Sequence, residues 1–129
     1  MRFAAAVLVV VLTSLPAFAR NLEKVKVVDH FPLHLDKDTL QRNGSVFTFT
    51  YVMAVPKSLG KLDGFESTEV EATIDCKGET YTLGKMTMYP EPMAQGAATR
   101  VIPAPEQVRK FDIQPRSTAL YLAEHICGW

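Results

Sequence analysis

At 129 residues, with 47% hydrophobic side chains, the chain has material for one compact core and little margin beyond it, since folding at this length removes roughly 60 to 70% of the unfolded surface from water. The 14 Lys and Arg balance the 14 Asp and Glu. With no basic cluster, that balance argues against nucleic acid as the partner.

Met1-Arg2 is a short basic start, and Phe3 to Leu15 is an apolar run of 13 residues, too short for a bilayer, which takes about 20. Pro16-Ala17-Phe18-Ala19 follows. The small residues Ala17 and Ala19 form an A-x-A site, so residues 1–19 read as a secretory signal cleaved between Ala19 and Arg20. No cysteine lies near that site, so the sequence offers no lipid anchor. No second apolar run long enough to span a membrane follows. Removing 19 residues from 129 leaves an exported domain of 110, residues 20–129, in the periplasm or released.

The first segments of that domain read as strands. Lys24 to Asp29 and Phe31 to Asp36 are short alternating runs interrupted at Pro32, which cannot donate to a ladder and so belongs at an edge or bend. Thr39 to Arg42 and Ser45 to Thr48 flank Asn43-Gly44, the dipeptide of a type I′ hairpin turn. In that register Leu40 faces Phe47. The second arm continues through Phe49, Tyr51 and Met53 on one face and Val46, Thr48, Thr50 and Val52 on the other, the pattern of a central strand covered on both sides for part of its length. Asn43-Gly44-Ser45 also spells a glycosylation acceptor, but the turn already explains it.

Pro56 to Gly64 reads as a loop. Glu69 to Cys76 alternates strictly, with Val70, Ala72, Ile74 and Cys76 in one phase, so Cys76 is in step with the core. The chain turns at Lys77-Gly78-Glu79 into a strand from Thr80 to Tyr89. There the apolar phase slips, from Tyr81 and Leu83 to Met86 and Met88. An extra residue at Gly84-Lys85 restores it, which predicts a β-bulge. Pro90 to Pro105 holds four of the eight prolines and reads as a long connection with a short edge strand near Arg100 to Ile102; a connection of this length is either a surface excursion or a recognition loop. Phe111 and Ile113 make a last strand. Ser117 is a natural N-cap for a helix from Thr118 to Cys127, with Gly128 as its C-terminal cap and Leu120, Ala123, Ile126 and Cys127 on one face.

Two cysteines in an exported chain most simply form one disulfide, Cys76 to Cys127. A metal or redox pair wants a spacing such as C-x-x-C, which is absent. Because a disulfide needs its Cα atoms within about 7 Å, the helix must lie on the buried face of the sheet. The expected fold is therefore α+β: an antiparallel sheet of about five to six strands, one C-terminal helix packed on it, and a disulfide between them.

Chemistry is sparse. His30 and His34 lie about 13 Å apart on an extended chain, too far to share a metal ion. Glu124-His125 reads as a solvated pair, Glu69/Glu71 and Asp36/Asp38 as wet faces and turns of strands, and Met53, Met86, Met88 and Met93 as core fillers. There is no G-x-S-x-G serine. No enzyme activity, metal or cofactor is expected.

The order of Leu35-Asp36, Leu40-Gln41-Arg42-Asn43-Gly44, an apolar strand, Ile74-Asp75-Cys76, the Tyr81 strand, Phe111-Asp112-Ile113-Gln114-Pro115-Arg116-Ser117 and a helix ending in Cys127 resembles the bacterial surface-adhesin protein E family. The resemblance covers Leu33 to Cys127. It implies an exported, non-enzymatic protein with an antiparallel sheet and a disulfide-held helix, binding host extracellular-matrix or serum proteins. It carries over no ligand-binding residues. The alternative is a periplasmic accessory or small-molecule-binding protein of the cell envelope, with a pocket between helix and sheet.

Overall fold

The computed structural model describes residues 21–28, 31–55 and 64–129. The signal segment, the Ala19/Arg20 cleavage point, Asp29, His30 and most of the 56–64 loop lie outside the described residues.

Seven strands and one helix follow one another as β1 (Leu22–Val28), β2 (Phe31–Asn43), β3 (Val46–Ala54), β4 (Ser67–Asp75), β5 (Thr80–Tyr89), β6 (Arg100–Ile102), β7 (Phe111–Asp112) and α1 (Thr118–Cys127). The strands form one antiparallel sheet in the order β1-β2-β3-β4-β5-β6, with β7 also paired to β5. From β1 to β6 each strand lies beside its neighbour in sequence, the commonest arrangement for an antiparallel sheet.

Pro32 is tolerated because it sits at the start of β2, opposite Val27 of β1, one residue before the β2–β3 ladder begins at Leu33 and Met53. The two runs expected around Asp36 and Thr39 are one strand of 13 residues, broken by a register shift between Asp36 and Gln41. Thr39 stabilises this irregularity. Its hydroxyl accepts from the Thr50 amide at 2.8 Å and donates to the Asp36 carbonyl at 2.8 Å. The hairpin register differs from the sequence expectation: Phe47 pairs with Arg42, not Leu40, and the two-residue loop is Gly44-Ser45. Only Gly44 has positive φ, 63°, which fits a glycine-first II′ loop. The reason is Asp75, whose carboxylate accepts from the Ser45 hydroxyl at 2.9 Å, while the Cys76 amide donates to the Ser45 carbonyl. Contacts from the adjacent hairpin outweigh the local Asn-Gly preference.

The bulge in β5 is where the phase slip places it. Val70 pairs with Met86 and Ala72 with Leu83, so Gly84 and Lys85 together oppose Glu71. A side chain at Gly84 would bring a Cβ within 3.1 Å of the Glu71 Cβ.

Leu33, Leu35, Phe49, Tyr51, Val70, Ala72 and Ile74 form the core on one face of the sheet, closed by Leu122 and Ala123 of α1. The helix starts as expected, with the Ser117 hydroxyl accepting from the Leu120 amide at 3.1 Å, and ends at Gly128 with φ 73°. Its buried stripe is rotated from the one expected. Ala119, Leu122 and Ala123 are the buried residues, with Ile126 and Cys127 packed alongside, and Leu120 is only partly covered. The expected disulfide is present: Cys76 and Cys127 are bonded, with Cα atoms 5.8 Å apart. Among the described residues no helix is long and apolar enough to cross a membrane.

Candidate functional site

The alternation that buries one face of the sheet leaves the other wet, and two concave regions result, one on each side.

The first lies under the helix. Tyr51, Ala72, Ile74, Tyr81 and Leu83 from the sheet, and Ser117, Thr118, Ala119 and Leu122 from α1, line a cavity of about 240 Å³. The pattern that makes it is simple: small Ala72 and Ala119 face one another where larger side chains would fill the gap. Leu83, 37% exposed, marks its open side. Burial pushes the Tyr51 phenol up to about 12, with neighbouring Tyr81 adding to the effect, so Tyr51 is a neutral donor at any physiological pH.

The second lies on the opposite face, against the bulged strand. Thr48, Thr73 and Thr82 are successive cross-strand partners, and they floor a groove of about 260 Å³ whose far wall is Ala104, Pro105 and Val108. That wall exists because the outer edge strand is interrupted. β6 pairs with Met86 to Met88 and β7 with Thr80 and Tyr81, and the chain between them leaves the edge. The backbone from Thr82 to Lys85 therefore has no ladder partner on its outer side among the described residues. Large apolar side chains stay exposed along this margin, with Val108 78%, Val101 52% and Phe111 41% exposed. The Phe111 ring lies 5.4 Å from that of Tyr81, centroid to centroid, which fixes β7 to the sheet.

The Pro90–Pro105 connection is more ordered than its composition suggests. A 3₁₀ turn, Pro92–Ala94, folds against the open face near Ser67. The buried Ser67 hydroxyl donates to the Glu91 carbonyl at 2.7 Å and accepts from the Ala94 amide at 2.9 Å. This turn covers the Val52 and Ala54 end of β3, so that strand is enclosed on both faces for part of its length, as its alternation implies.

Several polar residues take roles that adjacency in sequence does not reveal. His125 does not rest on Glu124 but reaches β1, with its Nε2 2.7 Å from Glu23 Oε1, while Lys37 Nζ lies 3.1 Å from Glu23 Oε2. Lys37, first by hydrogen bond, and His125 hold the Glu23 carboxyl below its ordinary range. Lys26 of β1 sits 3.9 Å from the centre of the Tyr121 ring. The helix is thus tied at β1 by charge and at Cys76 by a covalent bond. Asp36 is buried, not wet, and its carboxylate accepts from the Asp38 amide at 3.2 Å. Glu71 pairs with Lys85 at 3.7 Å. His34 is partly buried, and desolvation, aided by Lys24, holds its pKa below the ordinary histidine value. Among the described residues no cluster of three or more His, Cys, Asp or Glu could hold a metal.

A family model described as surface-adhesin protein E matches residues 23–128. Solved structures of Haemophilus influenzae protein E share the fold. Its crystal form II is similar with a TM-score of 0.59 at 16% identity, over 74% of this chain and 80% of that one. Protein E from non-typeable Haemophilus influenzae is similar at 0.58 and 16%, over 88% and 80%. A further structure of the same protein gives 0.58 and 16%, over 84% and 94%. No curated protein matches significantly.

Proposed function

We propose, from the premise that the chain belongs to the surface-adhesin protein E family, that it is an exported, non-enzymatic adhesin engaging a host extracellular-matrix or serum protein through the β5–β6–β7 margin and residues 103–110. The carrying observation is the gathering of exposed Leu83, Val101, Val108 and Phe111 along that one margin. Such side chains, rimmed by threonines and paired charges, are the usual centre of a protein contact. Pro103 and Pro105 stiffen the excursion, which lowers the entropy lost when a partner orders it. In this reading residues 1–19 are removed, and the domain from Arg20 onward acts outside the inner membrane.

The test is retention of purified residues 20–129 on immobilised matrix and serum proteins. Wild-type protein is retained by at least one of them. The double variant Val101→Asp/Val108→Asp keeps its thermal midpoint but binds at least about tenfold more weakly, as expected when an interface centre is lost. Failure of the wild-type protein to bind any of the panel sinks the reading. The cavity under α1 favours a second reading, a periplasmic small-molecule-binding protein. Protease shaving of intact cells separates the two, because only the adhesin is cut from outside.

A further inference from the structure

The cavity under α1 has a chemistry that the partner-binding margin does not use. At about 240 Å³ it is larger than the roughly 150 Å³ engineered cavity that takes up benzene, which leaves room for about ten non-hydrogen atoms. Its walls are alanine, isoleucine and leucine side chains from the sheet and the helix, and no charged residue is among those that line it.

Its polar lining is the Tyr51 and Tyr81 phenols and the hydroxyls of Ser117 and Thr118, of which Ser117 already donates to the Gln114 carbonyl at 2.7 Å. Tyr51 is only 7% exposed, and its hydroxyl makes no hydrogen bond to another of the described residues. Tyr51 borders the cavity, which is where an acceptor for its hydroxyl can enter. The first turn of α1 borders the same space through Ser117, Thr118 and Ala119. Ser117 already serves the Leu120 and Tyr121 amides, so the amides of Thr118 and Ala119 are the ones that an intrahelical ladder leaves over, at the positive end of the helix dipole. A phenol and a helix start on one apolar cavity select for a hydrogen-bond acceptor and against a cation.

We infer that the cavity binds a small, mostly apolar molecule ending in a carboxylate or carbonyl, whose body packs on Ala72, Ile74 and Leu122 and whose acceptor oxygen accepts a hydrogen bond from the Tyr51 hydroxyl. This site adjoins the protein-binding margin at Leu83, but its ligand chemistry is separate, so small-molecule binding and protein retention are tested separately.

The test uses the disulfide-bonded domain, residues 20–129, and a series of ligands with one common body: phenylacetate, phenylacetamide and phenethylammonium. Binding is followed by amide shifts in ¹⁵N-edited NMR spectra. Phenylacetate, phenylacetamide or both shift the amides of Tyr51, Ala72, Leu83 and Ala119, and phenethylammonium does not. Which of the two binds better distinguishes a carboxylate site from a carbonyl site. Tyr51→Phe, which keeps the ring, weakens the better ligand about fivefold, the worth of one hydrogen bond. The ligand series on the wild-type chain carries the test if Tyr51→Phe disturbs folding. No shifts at millimolar ligand overturn the inference. So do shifts confined to another surface, equal binding of the cation, or undiminished affinity in a folded Tyr51→Phe variant.

Discussion

The two faces of this sheet are built from the same strands and do opposite work. On the helix side Phe49, Leu33, Ile74 and Leu122 are almost wholly buried, and the covering helix is held by a disulfide at one point and by the Glu23–His125 pair at another. On the other side Thr48, Thr73 and Thr82 stand in a row and only one end of β3 is covered, by the turn at Pro92–Ala94. The contrast separates the face that carries stability from the face and margin proposed for recognition. A strict period of two gives each strand one face to bury, and the helix takes it. The open face and the β5 margin, which contribute little to the core, are then free to present side chains to a partner without endangering the fold.

The comparison is tested most severely by the disulfide. It closes a sequence separation of 51 residues, and the chain-entropy model gives such a cross-link about 4 kcal/mol. Replacing both cysteines by serine, or adding reductant, is expected to lower the unfolding free energy from urea titration by that order. An unchanged midpoint would mean that packing alone holds the helix, and the covered face would owe nothing to its clamp.

A pair of alanine substitutions then contrasts the faces directly. Leu122 is 1% exposed and central to the core, so Leu122→Ala should cost about 3 kcal/mol through lost burial and an enlarged cavity. Thr73 sits in the middle of β4, but on the open face, and Thr73→Ala should stay within about 0.5 kcal/mol. Comparable losses at the two positions, measured by the same denaturation, would abolish the distinction.

Much of this architecture is legible from residues taken alone. The alternation at Val70, Ala72 and Ile74, the phase slip at Gly84-Lys85 and the Ser117 and Gly128 caps are local signals, and each resolves as expected because nothing distant competes with it. The failures are long-range. The Asn43-Gly44 preference yields to Asp75, which sits on another strand, and His125 finds Glu23, about a hundred residues earlier in the chain. The candidate surfaces were less legible still. The prolines at 103 and 105 hint at an excursion, but the groove and the cavity exist only through pairs such as Ala72 and Ala119, whose meeting no local pattern encodes. Residues 1–19 and the cleavage point remain an expectation from sequence.

A further expected effect, smaller than the loss of the disulfide, probes the covered face from within. The Tyr51 phenol titrates near 12 in the folded chain instead of 10, chiefly through desolvation. Because the folded value lies above the unfolded one, the unfolded chain loses this proton first; the contribution is whole below pH 10 and is lost as pH rises toward 12. A shift of that size corresponds to on the order of 2 to 3 kcal/mol. Lysines titrate in the same window, so the informative quantity is the difference between wild type and Tyr51→Phe. The two stability curves should run parallel up to pH 10 and converge or cross above it, with the wild type falling faster. Parallel curves up to pH 12 would mean that the phenol ionises at its ordinary value, that water reaches it freely, and that the helix side of the sheet is as wet at this point as the threonine side.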